Sequence, residues 1–323
     1  MNVTLSSIKE LVEKCLKENP CEVDIRYNEP MKDHTTFKVG GPADCWLCPD
    51  GEGFLSFCAC LLNNAKEANI PVFILGGGAN IVVSDNGIRG IVLDMGGWNG
   101  ESVWSLCKAE DEIIFKSGTT IDEAADTTCA AGLSGFEFLA GMPGTIGGAV
   151  WMNARCYGSE IADFIIWVEV ITQEQNEHVI KRFEIENGAG FGYKQSPFQK
   201  MDCLILSAAF KLKNGDKEKM LLEMDKNRED RYEKGHYSFP CAGSAFKNNH
   251  DFGKPSGQII DELGLKGLQK GGAQIAPFHG NIVINTGTAT AADIRALMDE
   301  VTVKVKAETG FELEPEILFV GEW

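Results

Sequence analysis

Two glycine-rich segments carry the clearest chemical signal in this sequence. The first, Gly76-Gly77-Gly78-Ala79-Asn80, follows the apolar run PVFIL. It is not a Rossmann fingerprint. That pattern needs glycine at its sixth position, where Ile81 stands, and a helix next, where the strand-like Ile81-Val82-Val83 follows. No G-x-x-x-x-G-K-S/T occurs, so P-loop chemistry is excluded. What remains is a strand–loop–strand whose successive N–H groups have no Cβ in front of them, a nest suited to a pyrophosphate. An ordinary tight turn is the competing reading. The second segment runs Gly141-Met142-Pro143-Gly144-Thr145-Ile146-Gly147-Gly148-Ala149. A turn needs one or two glycines, so this density points to a flat or extended ligand lying close to the backbone. Close helix–strand packing is the alternative. Together the pair favours a large phosphate-bearing cofactor.

Other residue types suggest less. Cys45 and Cys48, with Cys58 and Cys60, have a spacing that invites a zinc site. Yet DCWLCP reads as a strand, which sends Cys45 and Cys48 to opposite faces. FLSFCACLLNNA reads as a helix interior, where small buried cysteines are common. The five histidines form no paired metal spacing, so no metal is expected.

The elements that must position the glycine segments are short and alternate. Leu5, Ile8, Val12 and Leu16 recur at helical spacing in a first helix. A polar stretch and the segment 35–49 follow, in which DCWLCP reads as a strand, then a second helix. Residues 71–95 read as a strand, the glycine turn, more strand, an Asp-Asn-Gly turn and another strand. A weaker strand run covers 101–118, and Thr120 is placed to cap a helix. Strands are expected over 164–172, 178–183 and 204–212. The charge-dense stretch 213–236 reads as a solvated helix joining two domains, with Met220, Leu221 and Met224 on one face. A last helix over 291–309 has Thr290 and Asp293 at its start and Gly310 at its stop. Its buried stripe is Ile294, Leu297, Met298, Val301 and Val305, and a strand over 312–320 closes the chain. The pattern suggests α+β units.

Length and composition bound the rest. The 323 residues allow two or three domains, and 44% hydrophobic with 24% charged content is ordinary for a globular protein. The net charge of −17 argues against a nucleic-acid or anionic-membrane partner. No apolar run is long enough to span a membrane, and the N-terminus has no secretory h-region. Eleven cysteines, an odd number, fit reduced thiols in a cytoplasmic protein better than a disulfide framework.

Several segments in order, TTFKVGGPA, ILGGGANIVVSDNGIRGIVL, LAGMPGTIGGAVWMNA and FGYKQSPF, resemble the UDP-N-acetylenolpyruvoylglucosamine reductase (MurB) family. AGSAFKNN, IDELGLKGLQKGGAQIA, NIVINTGTATAADI and LEPEILFVG extend the resemblance over roughly 30–321. The short spacing from FGYK to AGSAF resembles the class without an extra tyrosine-bearing substrate loop. The resemblance implies an α+β chain with the FAD-binding fold of the vanillyl-alcohol-oxidase (PCMH) type. It also implies two FAD subdomains, 1–97 and 98–213, and a substrate-binding domain, 214–323. FAD would be held by Gly76, Gly77, Gly78, Ala79, Asn80, Ile81, Gly141, Pro143, Gly144, Thr145, Gly147 and Gly148. NADPH would be co-substrate, the substrate a small UDP-sugar enolpyruvyl ether, and the chain a monomer.

The implied reaction adds hydride to C3 of the enolpyruvyl group and a proton to C2, with negative charge spreading into the carboxylate between. It needs a proton donor and a cation. Ser244 matches the family's donor, although a serine after glycine is otherwise a turn residue. Glu316, in LEPE, matches the catalytic glutamate, whose pKa like charge would raise; a solvated acid is the bland reading. Lys194 stands where the family has arginine after FGY. It keeps the charge and loses the planar, bidentate fork. Lys247 lies near enough in sequence to share that task. Arg155, in NARCYG where the family has small residues, is expected to compensate. Tyr193, Asn248 and His279 match substrate-contacting positions. An FAD oxidase of the same fold and a catalytically dead binding module are the rival readings.

Overall fold

The computed structural model describes residues 3–99, 104–107, 112–174 and 177–323. The chain divides into two compact units. One comprises Met1–Tyr27, Cys45–Gly77 and Gly90–Glu229, the other Asn28–Asp44, Gly78–Arg89 and Asp230–Trp323.

The first unit holds two apolar cores. Helix α1 (Leu5–Glu18) starts at a capping box between Thr4 and Ser7 and buries Ile8, Leu11, Val12 and Cys15. Helix α2 (Phe54–Glu67) buries Phe54, Phe57, Cys58, Leu61 and Ala65 in the same core. A four-stranded sheet contributes to this core. Its order is Glu22–Pro30, Pro42–Asp50, Ile88–Asp94, Val72–Leu75, and the last two are parallel. The strand expected at DCWLCP lies within Pro42–Asp50. Residues ahead of it form a short 3-10 turn, Met31–His34, and a loop.

The second core lies on a five-stranded antiparallel sheet of order Glu177–Glu184, Ile165–Glu174, Cys203–Lys211, Glu112–Lys116, Trp104–Cys107. The expected 101–118 run thus holds two antiparallel strands, and residues 108–111 between them lie outside the described residues. Helix α3 (Ile121–Ala131) is capped by the Thr120 side chain and stops at Gly132 in the left-handed region. Helix α4 (Ile146–Met152) is short, and Thr145 caps it. Helix α5 (Lys217–Glu233) is the expected solvated helix. Met220 and Met224 are buried, whereas Leu221 is 49% exposed. Positions 220 and 224 are one turn apart on one face, and 221 turns away from it.

The second unit is built on helices α6 (Ser256–Glu262) and α7 (Ala291–Thr309). Ile294, Leu297, Met298, Val301 and Val305 are all buried, at about 1.5–3 kcal/mol each for a fully buried large side chain. Thr290 and Asp293 form the capping box, and Gly310 ends the helix with φ of 78°. Three short strands, Gln269–Lys270, Ala273–Ile275 and Val283–Asn285, form an antiparallel sheet, and Leu318–Val320 pairs in parallel with Ile81–Val83. The strand expected over 312–320 is confined to those three final residues and a bridge at Pro315. Among the described residues no helix is long and apolar enough to cross a membrane.

Candidate functional site

In the first unit the two glycine segments meet. Val72–Leu75 delivers Gly76 and Gly77 to the edge of the second segment. A Cβ on Gly77 would lie 2.7 Å from the Gly144 Cα, and one on Gly76 would lie 2.7 Å from Thr145 Oγ1. Only bare backbone allows this approach. Gly77, Pro143 and Gly148 are nonetheless exposed, so the joined segments present an open, Cβ-poor surface. That is a cradle for a pyrophosphate and a flat ring, and it fits FAD.

The cradle's donors do not come from the start of α4. Ile146 donates its N–H to the Thr119 carbonyl (2.9 Å) and Gly147 to the Ser117 carbonyl (2.8 Å). Gly148 N–H goes to the Thr145 hydroxyl at 3.4 Å. Those three groups shape the segment. The entry to the segment is held from outside: Gly141 N–H donates to Asp122 Oδ1 at 2.7 Å, and Arg228 donates to the same oxygen at 2.8 Å. Arg228 also pairs with Asp126 at 2.7 Å, and these two carboxylates hold its guanidinium protonated. Sequence reasoning named neither Asp122 nor Arg228, because the contact spans 106 residues.

The far end of α4 positions Tyr193 and Lys194. Gly192 and Gln195 exchange reciprocal backbone hydrogen bonds of 3.0 Å, which puts Tyr193 and Lys194 at the apex of a tight turn. Lys194 is half-buried with φ of 56°, a backbone state uncommon for a side-chain-bearing residue. The turn is clamped from three sides. Asn153, the left-handed residue that ends α4, donates to the Gly192 carbonyl at 2.9 Å. Gln199 donates to the Lys194 carbonyl at 3.1 Å and the Trp151 carbonyl at 2.8 Å. Ser196 donates to that Trp151 carbonyl at 2.8 Å. An asparagine just past a helix end was the one available sign of Asn153's role. Arg155 lies with its guanidinium 5.8 Å from the Tyr193 ring centre and 3.6 Å from Glu160. A second cation therefore stands beside the Tyr193–Lys194 turn.

In the second unit Ser244 and Glu316 come to neighbouring positions on paired backbone. Ser244 bridges to Ile282, Glu316 N–H donates to the Ala245 carbonyl at 2.8 Å, and Phe246 bridges to Pro315. Ser244 is half-buried, and Glu316 is buried at 8% exposure. The organiser is Asn281, buried at 3% exposure. Its side chain accepts from Phe246 N–H (2.9 Å) and donates to the Phe246 carbonyl (2.8 Å), and its own carbonyl accepts from Ala245 N–H (2.8 Å). The first glycine segment reaches Glu316 from within the same unit. Asn80 donates from its side chain to the Glu316 carbonyl at 3.1 Å, and its own carbonyl accepts from Leu318 N–H at 3.0 Å. Gly78 has φ of 59°, and a Cβ there would strike the His34 carbonyl oxygen at 2.1 Å. Ala79 is half-buried and Ile81 is buried behind this turn.

The remaining candidates are spread along this unit. Asn248 Oδ1 accepts from the first N–H of α6, at Ser256 (2.9 Å). Lys247 forms an ion pair with Glu314, so its charge is already shared with a carboxylate. His279 is half-buried, and its Nδ1 accepts from Asn281 N–H at 3.1 Å. Burial, then Lys234 and Lys266, push its pKa below the ordinary value. Its ring is 6.3 Å from that of His236. Burial, Arg231 and His279 lower His236 to about 4. Both imidazoles are therefore neutral near pH 7. Among the described residues no cluster of His, Cys, Asp or Glu could hold a metal ion.

Comparison with known proteins gives the family of the chain. A family model for the C-terminal domain of UDP-N-acetylenolpyruvoylglucosamine reductase matches residues 235–320, and one for an FAD-binding domain matches residues 58–180, which include both glycine segments. A UDP-N-acetylenolpyruvoylglucosamine reductase of Treponema denticola is 39% identical over 313 residues, 94% of this chain and 95% of that protein. Its counterpart in Caldanaerobacter subterraneus is 38% identical over 312 residues, 97% of this chain and 98% of that protein. The crystal structure of UDP-N-acetylenolpyruvylglucosamine reductase (MurB) from Thermus caldophilus matches with a TM-score of 0.72 at 32% identity, covering 93% of this chain and all of that one. The fold is the FAD-binding fold of the vanillyl-alcohol-oxidase type, as the motifs led us to expect.

Proposed function

Because the chain belongs to the UDP-N-acetylenolpyruvoylglucosamine reductase family, we propose that it reduces UDP-N-acetylglucosamine enolpyruvate to UDP-N-acetylmuramate for peptidoglycan synthesis. The observation that carries this reading is the backbone-to-backbone meeting of Gly77 with Gly144, the cradle that FAD requires. Bound in that cradle, FAD would supply the hydride chemistry that links NADPH to C3 of the enolpyruvyl group. The protein's own residues do the rest. Gly76, Gly77, Gly144, Thr145 and Gly148 present backbone to the cofactor, and Asp122 keeps Gly141 in place.

Lys194 stabilises the charge that develops on the substrate carboxylate. Its left-handed turn fixes the backbone from which the ammonium projects, which suits a point charge without a fork. Arg155 adds a second cation at that turn. If Lys194→Ala abolished turnover while Arg155→Ala left it untouched, the compensating role of Arg155 would be wrong. Ser244 gives its proton to C2. Glu316, on the paired backbone, acts with it as proton-holding carboxyl. Tyr193, Asn248 and His279 contact the sugar-nucleotide. A neutral His279, with Nδ1 accepting from Asn281, has Nε2–H free in kind to donate to a substrate oxygen.

The division at residues 97 and 213, a monomeric state and a cytoplasmic location belong to the same proposal. The test is optical. Purified protein carrying FAD is yellow; NADPH without air bleaches it, and the UDP-enolpyruvyl substrate restores the colour. Bleaching without restoration would remove the substrate assignment and favour an oxidase or a binding module of the same fold.

A further inference from the structure

The cysteines that first suggested a metal site lead elsewhere. Cys15 of α1 and Cys60 of α2 are 45 residues apart in sequence, and their sulfurs are 3.2 Å apart. That is closer than two sulfurs in ordinary contact. A disulfide needs about 2.05 Å, so closure asks for little more than about 1 Å of approach. Cys15 is completely buried and Cys60 is half-buried. The pair is therefore reached from one side, through Cys60.

The neighbours of Cys60 suit sulfur chemistry. Asn64 donates from Nδ2 to the Cys60 sulfur at 3.3 Å, and its Oδ1 accepts from Lys14 at 2.7 Å. The Cys60 sulfur thus faces an amide donor whose own oxygen is held by an ammonium. The Glu18 carboxylate lies 3.6 Å from the Cys60 sulfur on the other side, in place to take the thiol proton. Cys15 differs. Burial, the adjacent sulfur and Glu18 push its thiol up to about 12, so it stays protonated and inert until its partner is oxidised. Cys58, two residues before Cys60, is buried on another face of α2.

We infer that Cys15 and Cys60 form a redox-active dithiol, reduced at rest, that hydrogen peroxide converts to a disulfide tying α1 to α2. The Cys60 thiolate attacks one peroxide oxygen, the O–O bond breaks, and hydroxide leaves, giving a sulfenic acid. The Cys15 sulfur then attacks the Cys60 sulfur, the S–O bond breaks, and the Cys15 proton leaves with the hydroxyl group as water. Two thiols and one peroxide become one disulfide and two waters. Peroxide is what a reduced flavin yields with dioxygen, so an FAD protein short of its substrate makes its own oxidant. A dithiol reductant reverses the step by exchange.

The test uses the full FAD-loaded chain. It is treated with hydrogen peroxide, its remaining thiols are blocked, and it is digested without reduction. The expected result is the loss of two thiols, a linked Cys15–Cys60 peptide, reversal by dithiothreitol, and a higher midpoint of thermal unfolding for the oxidised form, because the cross-link restrains the unfolded chain. Cys60→Ser, at a half-exposed site, should fold normally and lose both the linked peptide and the thermal shift. Cys15→Ala should leave Cys60 oxidising onward to sulfinic acid. A dominant link between any other two cysteines, or wild-type Cys60 reaching sulfinic acid without the link, would overturn the assignment.

Discussion

The two units hold their candidate residues by opposite means. In the first, the cradle is made of absence: Gly76 and Gly77 approach Gly144 and Thr145 because no side chain stands between them. In the second, Ser244 and Glu316 are set by presence. A buried amide, Asn281, ties down Ala245 and Phe246, and Asn80 holds the Glu316 carbonyl. A cofactor that stays bound can rest on rigid bare backbone. A substrate that comes and goes needs side chains aimed at its reacting atoms. Damage to each unit should therefore fail differently.

The largest effect should come from adding a side chain to the cradle. Gly77→Val puts carbon against the Gly144 backbone, and we expect protein that purifies nearly colourless, with a stability loss of about 1–3 kcal/mol. Flavin absorbance per chain and denaturant unfolding measure the two. The matching lesion in the second unit is Asn281→Ala. It strands a buried N–H and a buried carbonyl of Phe246, at about 2–3 kcal/mol, and should leave the protein yellow but slow. A colourless Asn281→Ala would erase the contrast between the units.

Smaller effects sharpen it. Lys194→Ala should keep FAD and NADPH bleaching and lower turnover by roughly 10²–10³-fold, and Lys194→Arg should recover most of that. Asn153→Ala, which removes one clamp and the residue best suited to a left-handed helix end, should shift turnover in the same direction by a smaller factor. In the second unit, stability should depend on pH through His236. His236 is depressed to about 4 in the folded chain against 6.5 unfolded, so the unfolded state binds the extra proton between those values. Stability is fully present above about 6.5 and falls as the pH drops toward about 4. The loss should be on the order of 1–2 kcal/mol, less than full burial would give because the ring is partly open to water. His236→Gln should flatten that slope in urea titrations at successive pH values.

Much of this was legible in the residues. The stripe and caps of α7 and the two glycine segments are local patterns, and local patterns survive folding. Leu221 failed because a short list of apolar residues does not say which side of a charged helix finds a partner. The strand over 312–320 shrank because its first half is held by single bridges to Ala245 and Phe246 and not by a ladder. Asn281, Asp122, Arg228 and Gln199 were invisible as organisers. Each works through a hydrogen bond whose partner is fixed only by tertiary packing. The left-handed turn at Lys194 was hidden as well, since lysine carries no sign of that conformation.

The most direct measurement is anaerobic reoxidation of the NADPH-bleached protein by UDP-N-acetylglucosamine enolpyruvate, wild type beside Ser244→Ala. The account predicts that both bleach at the same rate, that wild type recovers its colour within the mixing experiment, and that Ser244→Ala recovers roughly 10²–10⁴-fold more slowly. Recovery of Ser244→Ala at the wild-type rate would contradict it.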